Sequence, residues 1–275
     1  MPDVTRRYRH LFVAADRDKL SLPPDVAAAR VVLDRVTAAL PQLAAPPPPQ
    51  TVLDAVVDAA LNSTDPAALN VDAVLDQERR QREHDTRVRV LRAARERADE
   101  QLRDTIADST DVIVADHVRP AGEHLWQQIR AAVEALGDVE ISNPDALLAA
   151  PDKARRAYLA LDSLAARYTR LRAVLSELLR DAPGPEHDVT GDHAEFRVGL
   201  CAIWPDYRRS PSLAAATPPW PEDGRGRLVW LVRGGHEPWW PLVAERDAAW
   251  LTCHREAHEH TQRRNALHRL AHAWS

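Results

Sequence analysis

From residue 154 to residue 178, apolar side chains recur at alternating steps of three and four: Ala154, Ala157, Leu161, Leu164, Tyr168, Leu171, Leu175 and Leu178. With 3.6 residues per turn, an α-helix brings such positions onto one face. A seam nearly four heptads long needs another apolar surface to cover it. Packing at a shallow angle along a second helix does that. The spacing predicts one helix over about 151–181, ended by "DAPGP" at 181–185, and sets the class as mainly α.

A second seam, Val118, Gly122, Leu125, Ile129, Ala132 and Leu136, is its natural partner in an αα-hairpin. "GDVEISNPD" at 137–145 connects the two, with Asn143 as cap and Pro144 at the first helical position. Upstream, Val88, Leu91, Ala98, Leu102 and Val112 form a seam of different phase. Three-residue steps accumulate between Ser109 and Val118, so the helical region 66–136 breaks at "DSTD" or is distorted there. Pro120 adds a kink. A straight helix over 66–136 would span on the order of 100 Å, twice its hairpin partner. Its first half therefore needs the N-terminal helices, a second copy, or a fold-back. "DQERRQREHDTR" at 76–87 has no apolar residue and reads as solvated on every side. Glu78–Arg82 and Glu83–Arg87 at i,i+4 support it.

Toward the N-terminus, Val26, Ala29, Leu33, Val36, Leu40 and Leu43 predict a helix after "LPPD". "AAPPPPQ" at 44–50 stops it as a stiff polyproline spacer. "TVLDAVVDAALNS" predicts a short helix, and "TDP" at 64–66 a cap and the start of the next. Composition shifts beyond residue 183. Seven of the eight tryptophans lie past residue 200: Trp204, Trp220, Trp230, Trp239, Trp240, Trp250 and Trp274. "EFRVGLCAI" and "RLVWLVR" predict two strands, and a last helix starts near "EPWWPLVAERD". The expected organisation is an N-terminal helix and proline linker (1–50), a long helical hairpin or coiled-coil-like region (51–183), and a C-terminal unit (187–275). The expected fold is mainly α: an elongated helical bundle or αα-hairpin with long heptad-patterned helices, plus a small tryptophan-rich α+β unit.

The sequence excludes more functions than it assigns. Two cysteines, Cys201 and Cys253, make no disulfide framework. No apolar run approaches the ~20 residues of a membrane span, and the N-terminal residues lack an apolar core of signal-peptide length. The expected compartment is the cytoplasm, and no membrane is expected as partner. Basic residues are nearly all arginine, with Lys19 and Lys153 the two lysines. Acids alternate with arginines along the long helix and the net charge is −5, so nucleic acid is not an expected partner. "RRYRH" at 6–10 keeps a DNA-associated role as an alternative. GxxxxGK[ST], GxGxxG and GxSxG are absent, and no glutamate precedes a histidine by three positions, which removes the usual nucleotide, hydrolase and di-iron readings. No catalytic residue and no cofactor is assigned.

The stretch 250–274 concentrates five of the twelve histidines. On a helix, His254/His258 and His268/His272 are each four apart and could chelate zinc from successive turns. Spacing fixes no third ligand. Cys253 fits an apolar stripe with Trp250, Ala257, Leu267, Ala271 and Trp274, and "HREAH" is not the HExxH of zinc proteases. The interaction candidates are Leu161, Leu164, Tyr168, Leu171 and Leu175 on the seam, with Trp239 and Trp240. These features point to a non-enzymatic structural or interaction protein, an oligomeric helical scaffold or adaptor, whose partner is itself or another helical protein. The alternatives are a metal-binding protein or enzyme using the C-terminal histidines, and a DNA-associated protein using the N-terminal arginines.

Overall fold

The computed structural model describes residues 3–62, 71–181 and 221–248. Among these residues the regular structure is helical, with no strand. In chain order the elements are α1 (Val4–Arg7), α2 (Arg9–Arg17), α3 (Pro24–Ala39), a 3-10 turn (Leu40–Gln42), α4 (Pro49–Leu61), α5 (Val71–Asp108), α6 (Thr110–Val112), a π-helical segment (Ile113–Val118), α7 (Arg119–Leu136), α8 (Pro144–Ala149), α9 (Asp152–Asp181) and α10 (Gly224–Arg233). Residues 243–248 are helical as well. Contacts divide the chain into two compact units. Unit 1 holds the described residues up to Pro23 and from Ile106 onward, and unit 2 those from Pro24 to Thr105.

Unit 1 is organised around α9. All eight seam side chains from Ala154 to Leu178 are buried. The element against α9 is α7, which buries Leu125, Trp126, Ile129, Val133 and Leu136; α2 and α10 also lie on α9. As the sequence predicts, Asn143 caps α8, accepting from the N–H groups of Asp145 and Ala146 at 3.0 and 3.3 Å, with Pro144 at the first position. Gly137 ends α7 with φ 63, a left-handed conformation that glycine adopts without strain.

Helix α2 has no side-chain cap of its own, and α9 supplies one. The buried Glu177 carboxylate accepts from the His10 N–H at 3.0 Å and the Leu11 N–H at 3.1 Å, and lies 2.6 Å from His10 Nδ1. A carboxylate at a helix N-terminus satisfies orphan donors and faces the positive end of the helix dipole. At the other end of α2, Arg170 donates to both oxygens of Asp18 at 2.9 and 2.8 Å. Both ends of α2 are thus tied to one helix.

The phase slip before α7 is resolved by distortion. Residues 113–118 are π-helical, and the Arg119 N–H donates to the Val114 carbonyl five residues back. The wider turn absorbs extra chain and restores the apolar phase, so Ile113, Val114 and Val118 all point inward. Pro120, which lacks an N–H, follows directly in the first turn of α7, where no donor is needed.

The expected C-terminal strand is corrected. "RLVWLVR" lies in α10, not in a strand. The Asp223 carboxylate accepts from the Gly226 N–H at 2.7 Å, which starts the helix, and Leu228, Val229 and Leu231 are buried where α10 meets α9 and α7. A short apolar run has no period that separates strand from helix; the cap and the docking surface decide it. The other expected strand, "EFRVGLCAI", lies outside the described residues.

In unit 2, α3 buries Val26, Ala29 and Leu33. The polyproline stretch leads into α4, whose first residue is Pro49. The 76–87 segment of α5 is not solvated on every side: Gln77 is only 4 % exposed and its side-chain amide donates to the Pro47 carbonyl. A polyproline backbone makes no internal hydrogen bonds, so its carbonyls are open to such a donor. Arg82 pairs with Glu78 at 2.8 Å as expected; Glu83 and Arg87 form no ion pair among the described residues.

Candidate functional site

The residues expected to mediate interaction are inside unit 1. Leu161, Leu164, Tyr168, Leu171 and Leu175 are buried along α9. Trp240 is buried too, and Trp239 is half-buried. Trp126, Tyr168 and Trp240 form a chain of rings with centroids 6.2 and 6.1 Å apart, the second pair edge-on, and the Arg172 guanidinium lies 5.2 Å over the Trp240 ring. Gly122 makes this packing possible, because a Cβ there would lie 2.4 Å from a Trp240 ring carbon. Burial raises the Tyr168 pKa, keeping its phenol neutral, against the pull of Arg172 and Arg227.

The backbone around Trp240 is held as firmly as its ring. Arg119 donates twice to the Trp240 carbonyl, at 3.0 and 2.9 Å, and pairs with Glu245 at 2.7 Å. Arg172 donates to the Trp239 carbonyl and Arg246 to that of Leu179. The Val243 N–H donates to Asp111 at 2.9 Å. Arg119 of α7 and Arg172 of α9 therefore hold the 239–246 backbone against those two helices. These tryptophans act as core and clamp.

The N-terminal basic cluster is also partly structural. Tyr8 is fully buried and His10 faces Glu177, while Arg6 and Arg9 are exposed. His254, His258, His268 and His272, with Cys201 and Cys253, lie outside the described residues. Among the described residues, no three His, Cys, Asp or Glu side chains group closely enough to hold a metal ion, and no helix is long and apolar enough to cross a membrane.

Unit 2 shows the surface that sequence spacing had not singled out. On α4, Leu53, Val57 and Leu61 recur every four residues and are 40 %, 45 % and 78 % exposed. The charged residues of α4 are both acids, Asp54 and Asp58. On α5, Val90 is 59 % exposed within residues 87–95, which carry Arg87, Arg89, Arg92 and Arg95 and no acid. The signal was present in both places: apolar residues at i, i+4 and i+8, and a local departure from the alternation of charge. Averaging charge over the whole helix hid the second.

Compared with protein-family models, with curated proteins and with solved structures, the chain finds no match in any of the three.

Proposed function

We propose that the chain is a non-enzymatic assembly protein that associates with copies of itself through unit 2. The acidic apolar stripe of α4 in one copy docks on the basic stretch 87–95 of α5 in another. The observation that carries this reading is the uncovered stripe Leu53, Val57 and Leu61, flanked by Asp54 and Asp58. Like charges argue against pairing two α4 stripes, because Asp58 would meet its own copy beside Val57. Opposite charge and equal length favour the α5 stretch: each surface runs nine residues, whose eight steps of rise span about 12 Å along its helix. Each copy carries one of each surface, so a two-fold pair makes both contacts at once.

The contact is small. A single pair of helix faces this short falls well below the ~1,600 Å² of a standard interface, and even two together stay modest. Association is therefore reversible and concentration-dependent, and it weakens with salt because exposed opposite charges contribute. Unit 1, with its buried seam and its held residues 239–246, is the body that such contacts bring together.

Sedimentation of the full chain over about 1–200 µM tests this. The weight-average mass should rise with concentration and fall as salt is added. Val57→Glu should hold the protein at single-copy mass. Reversing Asp54 and Asp58 to arginine should do the same, and reversing Arg89 and Arg92 to glutamate in that background should restore association. A single-copy mass at every concentration, or an unchanged mass for Val57→Glu, rejects the reading.

A further inference from the structure

A cleft of about 240 Å³ opens within unit 1. Its floor is apolar, with Leu20, Leu125 and Leu171 among its lining. Its rim carries Lys19, Asp116, His117 and Arg167. Three features of the backbone and side chains around it are irregular, and they meet here.

The first is Lys19. After α2 ends, the Asp18 N–H donates to the Ala14 carbonyl at 2.9 Å and the Leu20 N–H donates to the same carbonyl at 3.2 Å. This turn places Lys19 in the left-handed region, at φ 56, and Lys19 is the one non-glycine residue with positive φ among the described residues. Glycine or asparagine normally takes that position, since a side chain there strains the backbone. The chain instead uses one of its two lysines, against an otherwise arginine-based supply of cations. Packing does not explain the choice, because Lys19 is exposed. The side chain at the rim is what the position retains.

The second is the π-helical segment, which brings Asp116 and His117 to the same rim. Such widened turns occur often where a helix offers side chains to a ligand. The third is a tie across the rim: Ser21 Oγ lies 2.7 Å from His117 Nδ1, joining the 18–21 turn to the π segment. The Asp18–Arg170 pair fixes the base of that turn, so the Asp18 charge is already matched.

The remaining charges set the ligand chemistry. Arg167 donates to the neutral Gln128 side chain at 3.1 Å, and its charge adds to that of Arg170 in facing the single charge of Asp18. Lys19 adds a further cation. Asp18 and Asp116 are the two lining carboxylates, against Lys19, Arg167 and the Arg170 paired with Asp18, so the balance is positive by one charge. The volume lies below the usual range for drug-sized ligands, which excludes a nucleotide and suits a body of about one ring. We infer that the cleft binds a small monocarboxylate with a compact apolar body, the carboxylate between Lys19 and Arg167 and the body on Leu20, Leu125 and Leu171.

Benzoate and its neutral isostere benzamide are the probes, titrated into the full-length protein by calorimetry and by thermal melting. Benzoate should bind at least tenfold more tightly than benzamide and raise the melting temperature. Lys19→Gly and Arg167→Gln should each weaken benzoate binding at least fivefold. Lys19→Gly separates binding from folding, because glycine suits φ 56: the unliganded melting temperature should hold or rise while binding is lost. No benzoate binding, equal affinity for benzamide, or full benzoate affinity in both variants overturns the assignment.

Discussion

Helix α9 of unit 1 and the part of α5 in unit 2 are both long and rich in arginine, yet they are held in opposite ways. Every seam position of α9 is buried, from Ala154 to Leu178. In α5, Val71, Leu75 and Val90 are exposed, and burial is confined mainly to Gln77, Ala98 and Leu102. What α5 has is a ladder of local pairs: Arg79–Asp76, Arg82–Glu78, Arg97–Glu100 and Arg103–Asp99, at 2.5, 2.8, 2.9 and 2.5 Å. The first three are exposed, and pairs of that kind contribute about 0.2–0.5 kcal/mol each; Arg103–Asp99 is part-buried. A buried leucine contributes several times that. One helix is stabilised by what it touches across the fold, the other mainly by its own surface; α9 leaves one large apolar side chain exposed, Leu159, where the described part of α5 leaves Val71, Leu75 and Val90.

The contrast can be broken most directly at its strongest point. Leu161→Ala, in the centre of the α9 seam, should cost about 2–5 kcal/mol in denaturant unfolding, while Val90→Ala should stay within ~0.5 kcal/mol. Similar losses at both positions would erase the distinction. Glu177→Ala comes next, at about 2–4 kcal/mol, because it leaves two backbone N–H groups of α2 without an acceptor. Glu177→Gln, which keeps one acceptor oxygen, should lose less. If the two variants are equally stable, the carboxylate is not what holds α2 to α9.

A smaller effect depends on pH. The hydrogen bond from Arg170 holds the Asp18 carboxyl below its usual range, with the charges of Arg170, Arg167 and Arg17 acting in the same direction and partial burial opposing them. A folded pKa below the unfolded one makes a contribution that is complete above the ordinary value of about 3.9 and is lost as pH falls through the folded pKa. Asp18→Asn should therefore be less stable than wild type at pH 7, and the gap should close as pH falls below the ordinary aspartate value and through the lowered folded one. A gap that does not change with pH contradicts the pairing. Smallest of all, Arg82→Ala on α5 should shift stability by less than ~0.5 kcal/mol and lose even that in high salt. A larger cost would mean α5 depends on tertiary contacts there.

Several of these features could be read from residues alone. The 3,4 spacing of 154–178 required a helix with one buried face. The misfit between the seams before and after Ser109 required a break at 108–111 or a distortion; α5 ends at Asp108, and the π segment follows at 113–118. Asn143 and Pro144 marked a helix start correctly. Other features left no local trace. Glu177 looks like any polar residue of an amphipathic helix, and its partners His10 and Leu11 are 167 and 166 positions away. Trp239 and Trp240 carry no mark distinguishing a clamp from an exposed anchor until Gly122, Arg119 and Arg172 are placed around them. The cleft depends on the φ of Lys19, which a lysine would not announce.

What the sequence by itself determined was the helical class, the inward face of α9 and the place where helical phase slips, because spacing along a chain is a local property that 3.6 residues per turn converts into a face. Tertiary structure decided what covers that face, whether 227–233 became strand or helix, and which apolar stripe was left uncovered on α4. Those outcomes turn on contacts between residues far apart in sequence, where many pairings of similar apolar faces compete and small differences in packing select one.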